Sequence, residues 1–203
     1  FFSFIYRLLG KKVVVQGHGI EWKRSKWNFL GKFFLQFTET GSVLFPNKLT
    51  AVSQVQVDYI KKKYNRKCTK IPTGVNNQVI KPPNKILKEY SLRGDDYILF
   101  AARLVKEKGA HYLIKAYNML STDKKLVIAG DAKYEEKYIR SLKEMANNSD
   151  NIIFTGFVQG ELLQELFSNC YFFILPSEIE GLPTALLEAM SYKNCCLASD
   201  IPE

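Results

Sequence analysis

From residue 97 onward, short apolar runs alternate with longer segments whose apolar positions recur at helical spacing. The runs at 97–101, 125–129, 152–154, 171–175 and 195–198 are too short for helices and lack strict polar alternation, so they predict strands buried on both faces. Between them, 110–120, 135–146, 161–167 and 183–192 carry apolar residues three and four apart and predict amphipathic helices. Regular alternation of this kind predicts a parallel, doubly wound α/β sheet, because parallel neighbours need a crossover and the crossover is usually a helix. Ligands of such sheets sit beyond the strands' carboxyl ends, which would bring Arg103, Gly130, Gly156 and Glu180 to one rim.

The earlier residues are patterned less regularly. An apolar, helix-like segment at 1–9 precedes a short buried strand at 13–15 that ends in Gln16-Gly17-His18-Gly19. Residues 27–37 place Leu30, Phe33, Phe34 and Phe37 at helical spacing, beside or among Lys23, Arg24, Lys26 and Lys32. The preferred reading is a core helix with its lysines in water; the alternative is an amphipathic helix lying on an anionic bilayer. A strand at 48–52 leads to Ser53, a good N-cap, and a helix over 54–64 whose closing Lys61-Lys62-Lys63 suits a helix C-terminus. Polar residues with Pro82 and Pro83 across 76–84 predict the crossing between two domains, 1–80 and 81–203.

Charge sharpens that division. Residues 1–90 hold 17 basic and 4 acidic side chains, and residues 91–203 hold 12 and 16, so the net +9 conceals a basic half and a mildly acidic one. A basic half suits an anionic surface. Nucleic acid is not expected, since no recognised motif is present and the acidic half argues against it. The four cysteines (Cys68, Cys170, Cys195, Cys196) have neither C-x-x-C nor metal-ligand spacing, which favours a reducing cytoplasm over a disulfide scaffold. Cys170 and Cys196 lie in apolar runs and read as buried small hydrophobes. No apolar run approaches a membrane span, and residues 1–5 are too short for a secretory signal.

The candidate chemistry centres on 177–190, SEIEGLPTALLEAM, which follows the strand at 171–175. Pro183 suits a first helical turn, Gly181 permits close backbone approach, and the free N–H groups of that turn offer a seat for an anion. Glu180 and Glu188 frame it. After the strand at 97–101, Arg103 supplies a planar fork for two phosphate oxygens and Lys108 a compact point charge. Two ordinary surface cations are the alternative there.

Glu180 and Glu188, inside LPSEIEGLPTALLEAMS, resemble the E-x7-E signature of retaining glycosyltransferases of family 4, whose fold is GT-B, two Rossmann-like domains with parallel sheets. RLVKEKG at 103–109 resembles that family's G-R-L-x-x-x-K-G, with Ala102 in place of the first glycine. IPTGV at 71–75 resembles its I-P-N-G-V turn, with Thr73 replacing the asparagine. HGIEWKRSKW at 18–27 is similar to bacterial polysaccharide glycosyltransferases, notably rhamnosyltransferase-like ones. By this resemblance the chain covers the later part of an N-terminal, acceptor-side domain and most of a C-terminal, nucleotide-sugar-binding one, both incomplete.

The resemblance implies transfer of a sugar from a nucleotide-sugar donor to a polysaccharide or lipid-linked glycan acceptor with retention of configuration. The alternative is a non-catalytic sugar-nucleotide-binding or membrane-associated scaffold relative. It implies that Arg103 and Lys108 meet the leaving phosphate, helped by the helix start at Gly181, Leu182, Pro183 and Thr184. Glu180 would bind the donor sugar and Glu188 the ribose; Gly130 and Gly156 would admit the nucleotide, and Val158 would bound the base. His18 would lie near the reacting sugar, or else be a structural histidine in a tight Gly-His-Gly turn. No D-x-D is present, so no metal and no other cofactor is expected. The implied location is the cytoplasm, peripheral on the inner face of the plasma membrane.

Overall fold

The computed structural model describes residues 3–20, 22, 27–147 and 149–202; within the 18–27 motif, Glu21, Lys23, Arg24, Ser25 and Lys26 lie outside the described residues. Two compact units result. The first comprises Phe1–Thr73, Ile179–Leu182 and Ile201–Glu203, the second Gly74–Glu178 and Pro183–Asp200.

In the first unit, α1 (Ser3–Leu8), β1 (Val14–Gly17), α2 (Phe29–Leu44), β2 (Lys48–Ala51), α3 (Gln54–Tyr64) and β3 (Thr69–Lys70) follow in order. The three strands pair in parallel as β1-β2-β3. Side-chain caps set both longer helices: Asn28 accepts from the Gly31 N–H at 2.8 Å, and Ser53 from the Gln56 N–H at 3.3 Å. The core is small, with Val43, Leu49 and Ile60 at its centre.

The expectation that Leu30, Phe33, Phe34 and Phe37 face this core is overturned. All four are exposed, Phe33 at 67% and Phe34 at 64%. A second stripe at helical spacing, Leu35, Thr38, Glu39, Ser42 and Val43, lines an inward cavity instead. What draws the helix round is a carboxylate. Glu39 Oε1 accepts from Tyr59 at 2.6 Å, Tyr64 at 2.5 Å and Lys63 at 2.9 Å, and Oε2 accepts from Trp22 Nε1 at 3.1 Å. Burial raises the Glu39 pKa, but the three donors on Oε1 outweigh it and hold the carboxyl below its ordinary range. Burial and the bond to Glu39 push Tyr59 up to about 12. Lys63 also lies about 5 Å from the rings of Trp22, Tyr59 and Tyr64. One lysine of the 61–63 run is thus a structural tie between α2 and α3.

The second unit holds α4 (Lys85–Tyr90), β4 (Tyr97–Ala101), a 3-10 turn (Lys106–Lys108), α5 (Ala110–Tyr117), β5 (Lys125–Ala129), α6 (Glu136–Met145) and β6 (Ile152–Gly156). It continues with α7 (Gly160–Asn169), β7 (Phe172–Leu175), α8 (Thr184–Ser191) and β8 (Cys196–Ala198). The five strands are parallel in the order β6-β5-β4-β7-β8, so the winding reverses between β4 and β7. All five residues of β4 are buried, as its unbroken apolar run requires, and the Tyr97 hydroxyl donates to the Leu166 carbonyl at 2.8 Å. Cys170 is buried and its thiol is pushed up to about 12 by burial. Cys196 is only half-buried, because β8 is an edge strand.

Helix α4 has no counterpart in the sequence pattern. Asn84 gives it no side-chain cap; instead the buried Glu165 of α7 accepts from the Lys85 and Ile86 N–H groups at 2.6 and 3.0 Å. A carboxylate meeting a helix's free donors and the positive end of its dipole explains how so short a helix holds. Among the described residues no helix is long and apolar enough to cross a membrane.

Candidate functional site

In the second unit a cavity of about 210 Å³ opens at the carboxyl ends of the central strands. Its walls are the ends of β4 (Ala101, Ala102, Arg103) and β5 (Ala129, Gly130, Asp131), the turn after β6 (Phe157, Val158), α7 (Leu163, Phe167) and α8 (Ala185, Glu188). Arg103 and Asp131 stand there because a buried strand ends and releases the chain to the rim, and Glu188 because α8 carries it there.

Backbone bonds hold the rim loops together. Leu104 N–H donates to Asp131 at 3.3 Å, Gly130 N–H to Gly156 at 2.9 Å, and Glu178 N–H to Glu107 at 2.8 Å. Two glycines are required sterically. Gly130 has φ +145°, and a Cβ there would overlap the Ala102 carbonyl oxygen; Gly109 has φ +75°, and a Cβ would overlap that of Pro176. The loop after β7 is therefore packed on the turn after β4, with a further bond from the Tyr112 hydroxyl to Glu178 at 2.7 Å.

The electrostatics leave two groups available. Among the described residues the Arg103 guanidinium makes no ion pair or hydrogen bond, and no protein donor reaches the Glu188 carboxylate. Burial pushes the Glu188 carboxyl above its ordinary range. Glu188 also borders a second cavity of about 150 Å³, with Gln78, Gln164 and Tyr192 on its wall. A cation and an acid of unused hydrogen-bonding capacity, facing one cavity beside Gly130, can hold a molecule that is anionic at one end and carries hydroxyls further along.

Of the residues singled out from sequence, Arg103, Gly130, Val158 and Glu188 line the same opening. Pro183 caps α8 and Thr184 begins it, one turn before Glu188. Lys108 lies in the 3-10 turn and Gly156 ends β6; neither lines the cavity. Glu180, Gly181 and Leu182 group with the first unit, as does His18, and a Cβ on Gly181 would overlap the His18 carbonyl oxygen. The close approach made at Gly181 is therefore to protein backbone. Asp131, Phe157, Leu163 and Ala185 were missed. Asp131 had a signal, since it directly follows Gly130 at a strand end; the others read only as apolar residues of a turn or helix. Among the described residues no group of three or more His, Cys, Asp or Glu is placed to hold a metal ion.

Residues 84–203 match the family described as glycosyl transferases group 1. Curated relatives include the N-acetylgalactosamine-N,N'-diacetylbacillosaminyl-diphospho-undecaprenol 4-alpha-N-acetylgalactosaminyltransferase of Campylobacter jejuni, 31% identical over 116 residues, which are 57% of this chain and 31% of that protein. The O-antigen chain mannosyltransferase B of Escherichia coli is 28% identical over 110 residues, 52% of this chain and 29% of that one. Among solved structures, Anabaena HepE in complex with UDP and glucose superposes with a TM-score of 0.83 at 16% identity, covering 98% of this chain and 55% of that one. Sucrose-phosphate synthase from Thermosynechococcus elongatus gives 0.80 at 18%, covering 98% and 54%. The matched region thus spans about a third of the curated relatives and about half of the solved chains.

Proposed function

Because this chain belongs to the group 1 glycosyl transferases and carries the GT-B fold, we propose that it is the greater part of a family 4 enzyme. That enzyme moves a sugar, with retention of configuration, from a nucleotide-sugar donor to a polysaccharide or lipid-linked glycan acceptor. The observation that carries this reading is the convergence of Arg103, Gly130, Val158 and Glu188 on one cavity at the carboxyl rim of the second sheet.

The chemistry follows from what builds up during transfer. As the bond between the sugar's anomeric carbon and the donor phosphate breaks, negative charge collects on the departing diphosphate. Arg103, on the cavity wall, receives it with two parallel N–H bonds, and preorganised donors of this kind usually lower a barrier more than any other single effect. Glu188 accepts from the ribose hydroxyls, fixing the nucleotide so that the diphosphate meets the guanidinium. The acceptor hydroxyl attacks from the face the diphosphate leaves, and its proton passes to the leaving phosphate oxygen; no side chain serves as a covalent nucleophile. We assign Glu180 to positioning the donor sugar, Lys108 to the leaving phosphate and His18 to the reacting sugar. We assign no metal to the reaction. The bound UDP of the Anabaena protein supports a uridine donor, and the HGIEWKRSKW motif supports a rhamnosyl one. The lipid-linked acceptor named for the Campylobacter relative supports a site of action at the cytoplasmic face of the plasma membrane.

A panel of nucleotide sugars, read by nucleotide released with and without a chelator, tests this. One donor should give release that survives chelation and that falls about a hundredfold or more in Arg103→Ala. Binding without turnover for every donor would favour the non-catalytic relative.

A further inference from the structure

Glu188 borders two cavities of the second unit. The larger has Arg103 on its wall; the smaller, of about 150 Å³, shares Leu163, Phe167 and Glu188 with it and adds the side chains of Gln78, Gln164 and Tyr192. A space of the smaller size admits a single six-membered ring. Its apolar side is Leu163 and Phe167, the Phe167 ring being stacked on that of Tyr192 with centroids 5.6 Å apart. Its polar groups include two half-buried amides. Tyr192 donates to Gln78 Oε1 at 3.2 Å, which leaves Gln78 its N–H donors. Among the described residues no hydrogen bond engages the Gln164 amide, so it offers a donor and an acceptor side by side.

A nucleoside diphosphate has its ribose in the middle, with the phosphates on one side and the base on the other. With the phosphates on Arg103 and the ribose hydroxyls on Glu188, the base continues past Glu188, where the smaller cavity lies. Resting on the donor reading above, we propose that this cavity holds the base, that the base is a pyrimidine, and that Gln164 and Gln78 select it. Uracil and cytosine each present a hydrogen-bond donor next to an acceptor, which the Gln164 amide meets with two bonds. Each also carries a further carbonyl oxygen for a Gln78 N–H. The second ring of a purine exceeds the space. Val158 lines the larger cavity alone, which sets it beside the ribose and phosphates and not the base.

Calorimetry of the full chain with UDP, CDP, ADP and GDP tests this. UDP and CDP should bind at least about tenfold more tightly than either purine nucleotide. Gln164→Leu should narrow that preference about tenfold and leave the affinity for inorganic pyrophosphate, which needs no base contact, unchanged. UDP methylated at N3 lacks the donor that the Gln164 carbonyl meets. It should bind the unaltered chain about tenfold more weakly than UDP, and bind Gln164→Leu about as well as UDP does. Equal affinity for purines and pyrimidines overturns the assignment and leaves the donor reading standing. So does a Gln164→Leu variant that weakens every ligand alike, pyrophosphate included, or that still discriminates against the methylated base. If none of the four nucleotides binds, the donor reading falls with it.

Discussion

Arg103 and Glu188 share a cavity but offer a donor and an acceptor, and this makes them separable. Arg103→Ala removes the planar donor fork and should depress nucleotide release about a hundredfold. Glu188 starts from a carboxyl that burial has pushed upward. Free of ligand, it contributes stability that is full below the unfolded pKa and lost as pH rises through the folded one. Ligand binding runs the other way, because hydroxyls need the carboxylate as acceptor. UDP affinity measured by calorimetry should therefore weaken as pH falls, beginning above the range of an ordinary glutamate, and Glu188→Gln should flatten that dependence while lowering affinity. Both residues were legible in sequence because Arg103 follows a buried strand and Glu188 lies one turn into a helix whose start Pro183 marks, so local pattern sets their place. Lys108 has the right charge and offset, and its 3-10 turn places it among the residues beside this cavity's wall rather than on it. Glu39 was illegible for a different reason: its partners Tyr59, Lys63 and Tyr64 lie on another helix, and no local pattern announces them.

Among the elements, strands read more surely than helix faces. A run such as Tyr97–Ala101 admits one interpretation, since a strand buried on both sides needs no choice of face. Helix α2 offers two stripes at helical spacing, and hydrophobicity alone selects the aromatic one; the half-buried Glu39 network selects the other. Helix α4 was invisible because its N-terminal partner, Glu165, is supplied by α7. Removing that carboxylate leaves two backbone donors unsatisfied in a buried place. Glu165→Ala should lower stability by about 1–3 kcal/mol, seen as a fall in the midpoint of urea unfolding, and Glu165→Gln should recover part of it. Gly130→Ala sets a positive φ against a side chain and drives a methyl into the Ala102 carbonyl. It should disturb the β4 and β5 rim and weaken UDP binding more than Gly156→Ala, whose Cβ would meet open space.

At the scale of the whole chain, the two units differ in what holds them. The second has a large apolar core around β4, β5 and β7; the first has a small one supplemented by the Glu39 network. Because the Glu39 pKa is depressed in the folded state, its stabilisation is present above the unfolded pKa and lost as pH falls through the folded one. Acid titration followed by Trp22 and Trp27 fluorescence, both indoles lying in the first unit, should report its loosening before far-ultraviolet circular dichroism reports loss of the second. Glu39→Gln should remove that acid-dependent step.

The proposed activity depends most on the cavity at the carboxyl rim of the second sheet being the seat of a nucleoside diphosphate. Amide resonances of the isotopically labelled chain followed during titration with UDP test this directly. The prediction is saturable shifts centred on Ala102, Gly130, Asp131, Val158 and Ala185, lost in Arg103→Ala and Glu188→Ala. Shifts confined to other residues, or equal shifts in those variants, would contradict it.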